Sequence, residues 1–457
     1  MSGTLATWPD WPVFTKDNSE GSDDLVGFKR AIIDRYGEEA LTRSWLKVCQ
    51  SLERATDHIA RNGSTVIPEL DYHELFSLDN EKKEELKGVG CFVVRNVFSR
   101  TQADEWFRSL KEYVSDNEKN INGKKSLTGD EYVGGKRILT VDVGYPQPKP
   151  MMLNLYYSPA QIAARTHPNQ LKLCRELNSW WHDDTARSSP EQLCYSDQVR
   201  IRQPKRPFPS LGPHIDAGSL CRWADPVYSS VYAAVFSGEP ELLDNYDLSL
   251  RQVADQALFK GAAQSTVLRA FQGWTALTSA GPGQGSLMVF PDLKWGIAYV
   301  MLRPFFSEPQ EKKDLMDASK WEFDPDTAWF PGTWRDDSQL LSAESHPHLR
   351  LKECLVSIPH VNPGDTVFWH ADMVHAVEVE HNGTDDASVA YIAATPTTDL
   401  NKAYIKEQLQ DFLAGRPPVD FRRGSSEVNF KGYLGEKAVL GGDDGRRAMG
   451  YYLLESV

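Results

Sequence analysis

The sequence has no CxxC pair; its six cysteines (Cys49, Cys91, Cys174, Cys194, Cys221 and Cys354) are spread along all 457 residues. That scatter excludes a zinc ribbon or a redox dithiol and predicts reduced, partly buried thiols. The opening residues, MSGTLATWPDWPVF, lack a charged segment followed by an apolar one, so no secretory signal is expected. No apolar run approaches the roughly 20 residues that span a bilayer. No repeat of solenoid or propeller length is visible. Positive charge is also short: 50 Lys and Arg face 64 Asp and Glu, for a net charge of −14 and a pI of about 5.3. Such a surface repels phosphate backbones and anionic lipid. The expectation is a cytoplasmic protein that binds neither nucleic acid nor membrane.

What the sequence does have is bulk. The 13 Trp, 17 Tyr and 19 Phe are enough to line both a core and a pocket. Apolar residues recur at mostly helical spacing over 23–62 (Leu25, Phe28, Ile32, Leu46, Leu52), and Asn62-Gly63 offers a stop. A strand at Cys91–Val94, an N-cap at Ser99 and an amphipathic helix follow. Residues 115–150, rich in Asn, Lys, Gly, Asp and then Pro, read as a loop or insertion. A helical segment over 161–180 leads to the strand QVRIRQP. Strand-like runs then dominate: VYSSVYAAVF, GSLMVFP, GIAYVMLRPFF, LVSIPHV, PGDTVFW and SVAYIAAT. An amphipathic helix at 399–415 closes the pattern, with Leu400, Tyr404, Leu409 and Leu413 on a shared face. The fold class expected is mainly β with flanking helices (α+β): a helical extension over 1–85, then a β-core domain over 86–457.

A non-haem iron site needs three ligands on one face of the metal, and imidazole with carboxylate suits Fe(II). His-x-Asp supplies two of them, because side chains two apart on a strand point the same way. The triplet occurs three times, where about one is expected by chance: His182–Asp184, His214–Asp216 and His370–Asp372. The first follows Trp180-Trp181 at a helix end and suits a solvated terminus. The third shares its loop with His375 and is followed by His381 alone, too close to occupy a separate strand. The second sits in LGPHIDAGSLCRW, between strand-ending and small residues, 161 positions before His375. His375 itself follows a PGD turn and a short strand in PGDTVFWHADMVHAVEV. The expected metal ligands are therefore His214, Asp216 and His375.

The strings LGPHIDAGSLCRWADP, FQGWTALTSAGPGQGSLMVFP, AYVMLRPFF, PGDTVFWHADMVHAV and SVAYIAATP resemble the YbiU-like family, a group of domains of unknown function related to phytanoyl-CoA-type dioxygenases. The resemblance runs from roughly residue 85 to 415, with the helical start also similar. It implies a double-stranded β-helix core (jelly-roll, cupin-like) with helical elaborations at both ends. It also implies Fe(II), with 2-oxoglutarate as cosubstrate and O2 and a small organic molecule as reactants. The resembled enzymes release succinate and CO2 while hydroxylating or otherwise oxidising their substrates.

One departure from that pattern stands out. In many such enzymes an Arg or Lys about 10–14 residues after the distal His grips the far carboxylate of 2-oxoglutarate, as a bidentate guanidinium fits it. Here that window reads Asp385-Asp386-Ala387-Ser388-Val389 and contains no base. The partner must come from another element. Arg303 is the first candidate, then Arg202, Arg200 and Arg222, with Ser388 as an added hydroxyl. Gln272, Trp274, Asn154 and Tyr156 are expected in the substrate pocket by resemblance. Two alternatives stay open: an iron oxidase of the same fold that uses no 2-oxoglutarate, and a metal-binding β-barrel without redox turnover, such as a zinc hydrolase or an inactive ligand-binding relative.

Overall fold

The structure is a computed structural model that describes residues 3–121, 151–209, 211–261, 264–422 and 424–455, together with short strands at Tyr132–Val133 and Lys136–Arg137. Most of the insertion expected at 115–150 lies outside the described residues. Helices hold many more residues than strands, so the architecture is mixed rather than mainly β.

Twelve strands form two sheets. They are β1 (Glu69–Asp71), β2 (Cys91–Arg95), β3 (Met152–Leu153), β4 (Val199–Arg202), β5 (His214–Ile215), β6 (Phe271–Ala276), β7 (Leu287–Val289), β8 (Gln339–Leu340), β9 (Val356–Ser357), β10 (Thr366–His370), β11 (His375–Val377) and β12 (Ala387–Tyr391). The larger sheet has the order β1-β2-β10-β6-β12-β4-β3 and the smaller β8-β5-β11-β7-β9. All pairings are antiparallel except β1 with β2, which places residues from the expected N-terminal extension inside the large sheet.

Alternation decides which side chains face the other sheet. In β10, Thr366, Phe368 and His370 share one face, where Phe92 meets both Phe368 and Phe271. Val367 and Trp369 point the opposite way, toward the smaller sheet. The register pairs Trp369 with Gln272 and Val367 with Trp274, so Gln272, Trp274 and Ala276 share that inner face. Val389 pairs with Ala276 and Tyr391 with Trp274; on the far side of β12, Arg200 pairs with Val389. The inner face therefore continues through Tyr391, Val389, Arg200 and Arg202. The turn into β10 needs Gly364: its φ is +95°, and a Cβ there would meet the carbonyl oxygen of Phe98 at 2.3 Å.

Several expected elements change type or length. The 23–62 segment is two helices, Asp24–Tyr36 and Glu38–Asn62, broken at Gly37 with φ +84°. Its buried stripe includes Leu25, Ile32 and Leu52, whereas Leu46 is exposed. The 161–180 segment is also two helices, Pro159–Thr166 and Pro168–Asn178, because Pro168 cannot continue the first and instead starts the second. VYSSVYAAVF is not a strand but the short helices Pro226–Val231 and Ala233–Phe236. Nor is GIAYVMLRPFF, most of which lies in the helix Leu293–Leu302. That helix is apolar all round because it is buried all round, and a continuous apolar run cannot by itself distinguish helix from strand. It packs against the long helix Glu38–Asn62, where Trp45 stacks on Tyr299 with ring centroids 5.4 Å apart. The Ser99 cap is present, accepting from Gln102 N at 3.2 Å, as is the helix Asp399–Leu413, whose buried face includes Tyr404 and Leu409 but not Leu413. All six cysteines are buried and unpaired. No helix among the described residues is long and apolar enough to cross a membrane.

Candidate metal centre

Three side chains from two segments converge on the inner face of the smaller sheet. β5 and β11 are neighbours, and His214 sits directly opposite His375 in their register, which brings the imidazole centroids to 4.1 Å. Asp216, two residues beyond His214, completes the group: one ligand atom from each of the three lies within 4.8 Å of the others. The Asp216 oxygens are 3.5 Å from His214 Nε2 and 3.7 Å from His375 Nε2. Donors bound cis to one ion at about 2.1 Å sit about 3 Å apart, so a small inward adjustment closes these three around a metal.

The protonation states suit a cation. Each Nδ1 lies at a backbone carbonyl, His214 at Gly212 (2.7 Å) and His375 at Met373 (2.9 Å). An N–H on Nδ1 leaves the lone pair on Nε2, the atom facing Asp216. Burial, with His375 beside it, lowers His214 to a pKa of about 4, so the ring is neutral at physiological pH. For Asp216 burial favours the protonated form, but His375, His214 and Arg269 override it and hold the carboxyl well below its usual range. The carboxylate is 31% exposed, so the centre opens to solvent on that side.

Gln272, expected as pocket wall, has another place. Its Nε2 donates to Asp216 Oδ2 at 2.6 Å, while Trp369 Nε1 donates to its Oε1 at 2.7 Å. The amide is thus fixed in orientation and in turn fixes the carboxylate. The sequence reading missed Trp369, although strict alternation in TVFWH puts it on the inner face, where its ring lies 5.4 Å from that of His375.

The other two triplets are engaged elsewhere. His182 is half-exposed and pairs with Asp244 at 2.9 Å. His370 stacks on Trp181, and both its ring nitrogens are occupied, by Asn245 O and Asp372 N at 3.0 Å each. Asp372 is the centre of a buried clasp. Arg251 reaches it at 2.7 Å, Arg222 at 3.5 Å and the Tyr232 hydroxyl at 3.1 Å. Arg222 also donates to the carbonyls of Ala217 (2.7 Å) and Asp216 (3.2 Å). The clasp therefore ties the turn after Asp216 to the turn before His375. Ala217 and Gly218, with φ of +56° and +74°, make the first of those turns.

The remaining arginine candidates separate cleanly. Arg303 is fully buried, but it serves Ser345 O and Phe306 O at 2.7 Å each, Glu308 at 2.7 Å and the Trp321 ring at 4.5 Å, none of which touches the triad. Its expected strand is a helix end, which explains the misplacement. Arg202 spans to the carbonyls of Glu378 and Val379, and Arg222 belongs to the clasp. Ser388 points to the outer face and donates to Arg200 O at 2.8 Å. Arg200 differs from the others. It is 3% exposed, its Nε has no partner, and among the described residues its guanidinium makes no hydrogen bond or ion pair. Trp274 is buried on the inner face beside Tyr391. Asn154 is bonded to Gln198 and Tyr156, and Tyr156 stacks on Phe421 at 4.8 Å in a separate apolar cluster; neither has a contact with the triad.

Known proteins resemble this chain over nearly its whole length. An uncharacterised Escherichia coli (strain K12) protein, YbiU, is 31% identical over 427 residues, covering 90% of this chain and 94% of its own. The crystal structure of GlcNAc inducible gene 2, GIG2, from Candida albicans superposes with a TM-score of 0.79 at 28% identity, covering 94% of this chain and 90% of that one. A Salmonella typhimurium LT2 protein provisionally named an oxidoreductase has a TM-score of 0.75 at 26% identity, covering 98% and 100%. The Gig2-like family model matches residues 22–451, and this chain belongs to the Gig2-like family.

Proposed function

We propose that the protein is an Fe(II)- and 2-oxoglutarate-dependent oxygenase that oxidises a small organic molecule, the two-sheet core being a double-stranded β-helix related to that of the phytanoyl-CoA-type dioxygenases. The observation that carries the proposal is the His214–Asp216–His375 cluster, a two-histidine, one-carboxylate set on one side of a solvent-open site. Bound iron would supply the hard chemistry, coupling O2 reduction and decarboxylation of 2-oxoglutarate to substrate oxidation, with succinate and CO2 released. The chain's own residues do the rest. His214 and His375 present Nε2 lone pairs because their Nδ1 atoms are committed to carbonyls. Gln272 and Trp369 hold Asp216 in orientation. Trp274 and Val389 are buried on the inner face, with Tyr391 partly buried beside them, and would shield that side of the site.

Arg200 takes the place of the base absent after His375. It sits opposite Val389, inside the very window where that base is expected, and reaches the same inner face from the neighbouring strand. A buried guanidinium without a partner among the described residues favours an anion beside it. We assign it to the far carboxylate of 2-oxoglutarate. The unpaired cysteines fit a reducing cytoplasm.

The test is anaerobic addition of Fe(II) and 2-oxoglutarate, followed by air and measurement of succinate. A weak visible charge-transfer band and succinate formation are expected, with Arg200→Gln needing on the order of 10- to 100-fold more 2-oxoglutarate. Absence of both band and succinate would sink the proposal. O2 uptake with bound iron but no need for 2-oxoglutarate would favour the oxidase alternative, which the missing distal base supports.

A further inference from the structure

A second cation lies just ahead of β6, on the other side of Gln272 in the chain from the residues level with Arg200. Gln272, at the start of this strand, touches Asp216. Ala276 is four residues further on and lies level with Val389 and Arg200, about 13 Å along the sheet at roughly 3.3 Å per residue. Arg269 lies three residues the other way, two positions before the strand's first residue, Phe271. Its backbone is held on both sides, by Leu268 N to Asn401 Oδ1 at 2.7 Å and Ala270 N to Ala394 O at 2.9 Å.

The Arg269 guanidinium lies over the Tyr195 ring at 5.6 Å and is half-buried. Among the described residues it makes no hydrogen bond and no ion pair. Acids are nearby, yet none bonds to it: the Asp420 carboxylate accepts from Tyr195 (2.8 Å) and Ser265 (2.6 Å) instead. Burial opposes the charge on Arg269, but Tyr195, Asp216, Asp197 and Asp420 keep it firmly protonated. Along the direction of β6, Gln272 thus lies between two arginines whose guanidinium groups make no hydrogen bond or ion pair among the described residues, one level with Ala276 and one just ahead of the strand.

We infer that Arg269 is a specificity residue that receives a carboxylate of the substrate, so that the substrate class is small carboxylic acids. The inference rests on the oxygenase reading, in which Arg200 is already engaged by the cosubstrate. A carboxylate suits this position better than a phosphate. One guanidinium matches its two oxygens bidentately, whereas a dianion would be repelled by Asp197 and Asp420.

The test uses the full chain loaded with Co(II) and 2-oxoglutarate under nitrogen. A panel of aliphatic and aromatic monocarboxylic acids, each paired with its primary amide, is screened by saturation-transfer NMR. Acids are expected to bind where their amides do not. Arg269→Gln should weaken that binding on the order of 10- to 100-fold, and Arg269→Lys should retain part of it. The Co(II) visible spectrum and the affinity for 2-oxoglutarate should be the same in Arg269→Gln as in the parent. Amides binding as well as acids, no acid of the panel binding, or acids binding Arg269→Gln as tightly as the parent would overturn the inference. Loss of 2-oxoglutarate affinity in Arg269→Gln would overturn it too, by making Arg269 the cosubstrate's partner. A parent protein that binds neither Co(II) nor 2-oxoglutarate refutes the oxygenase reading itself, before any acid is added.

Discussion

Replacing Asp372 by Asn tests the clasp that joins the turn after Asp216 to the turn before His375. The side chain is almost fully buried, with Arg251 at 2.7 Å, Arg222 at 3.5 Å and the Tyr232 hydroxyl at 3.1 Å. The change keeps the shape and removes the charge, leaving two buried guanidinium groups without a counterion. Breaking one side of such a buried cluster costs about 3–5 kcal/mol, a large part of the 5–15 kcal/mol that a folded domain typically has. Tyr232→Phe removes a single hydroxyl donor and should cost about 1 kcal/mol. Urea unfolding gives the two losses. Co(II) titration gives a second reading: with the clasp loosened, affinity should fall at least tenfold in Asp372→Asn, because the turns that aim Asp216 and His375 are no longer tied. The pH dependence has a definite sign. Burial favours the neutral form of Asp372, but Arg251 and Arg222 override it and hold the folded-state pKa well below the unfolded value. The stabilisation is therefore complete above the unfolded pKa near 3.9 and is lost as pH falls below it. The difference between parent and variant should stay constant from neutral pH down to about 5. A loss under about 1 kcal/mol with unchanged Co(II) affinity would refute the reasoning, since the arginines would then have found other partners.

Three further outcomes are expected. Gln272→Ala frees Asp216 Oδ2 from its 2.6 Å donor and should weaken Co(II) binding by roughly 10- to 100-fold without unfolding the protein; unchanged binding would show that the amide does not orient the carboxylate. Arg303→Ala should destabilise the fold by about 3 kcal/mol or more while leaving the affinity for 2-oxoglutarate untouched, because the guanidinium serves the helical layer. Glu427 is buried and accepts from Tyr156 N, Tyr157 N and the Tyr113 hydroxyl, and burial raises its pKa to about 7. A raised carboxyl stabilises most below its unfolded pKa, so the parent should lose stability as pH rises from about 4.5 to 7, and Glu427→Gln should flatten that slope in urea titrations.

What the residues reveal in sequence follows from the range of the forces involved. Alternation in TVFWH and VRIR, the PGD turn and the cap at Ser99 are local, and each is visible in a few neighbouring residues. One of the three triplets could be singled out as the candidate metal-ligand set because the PGD turn before His375 and the strand-ending residues around His214 leave their own local marks. Helix against strand in GIAYVMLRPFF could not be read locally: a segment buried on every side carries no period, and the difference lies in what surrounds it. The misplacement of Arg303 follows from that one error. Arg200 was legible as a strand arginine, but its solitude depends on β12 lying beside β4, a long-range fact. Arg269 had no sequence signal at all, standing outside every string that marks the family.

The amide that holds Asp216 bears on which ions the proposed metal site would take. With Oδ2 bonded to Gln272, Asp216 has one oxygen to offer rather than two. Calcium, which seeks six to eight oxygens, and magnesium, which holds on to its water, gain little from two imidazoles and a single carboxylate oxygen. First-row transition ions with a taste for nitrogen lose nothing by the same restriction. In the proposed metal site, a neutral side chain that never meets the ion would thus act as a filter against the two most abundant divalent cations in a cell.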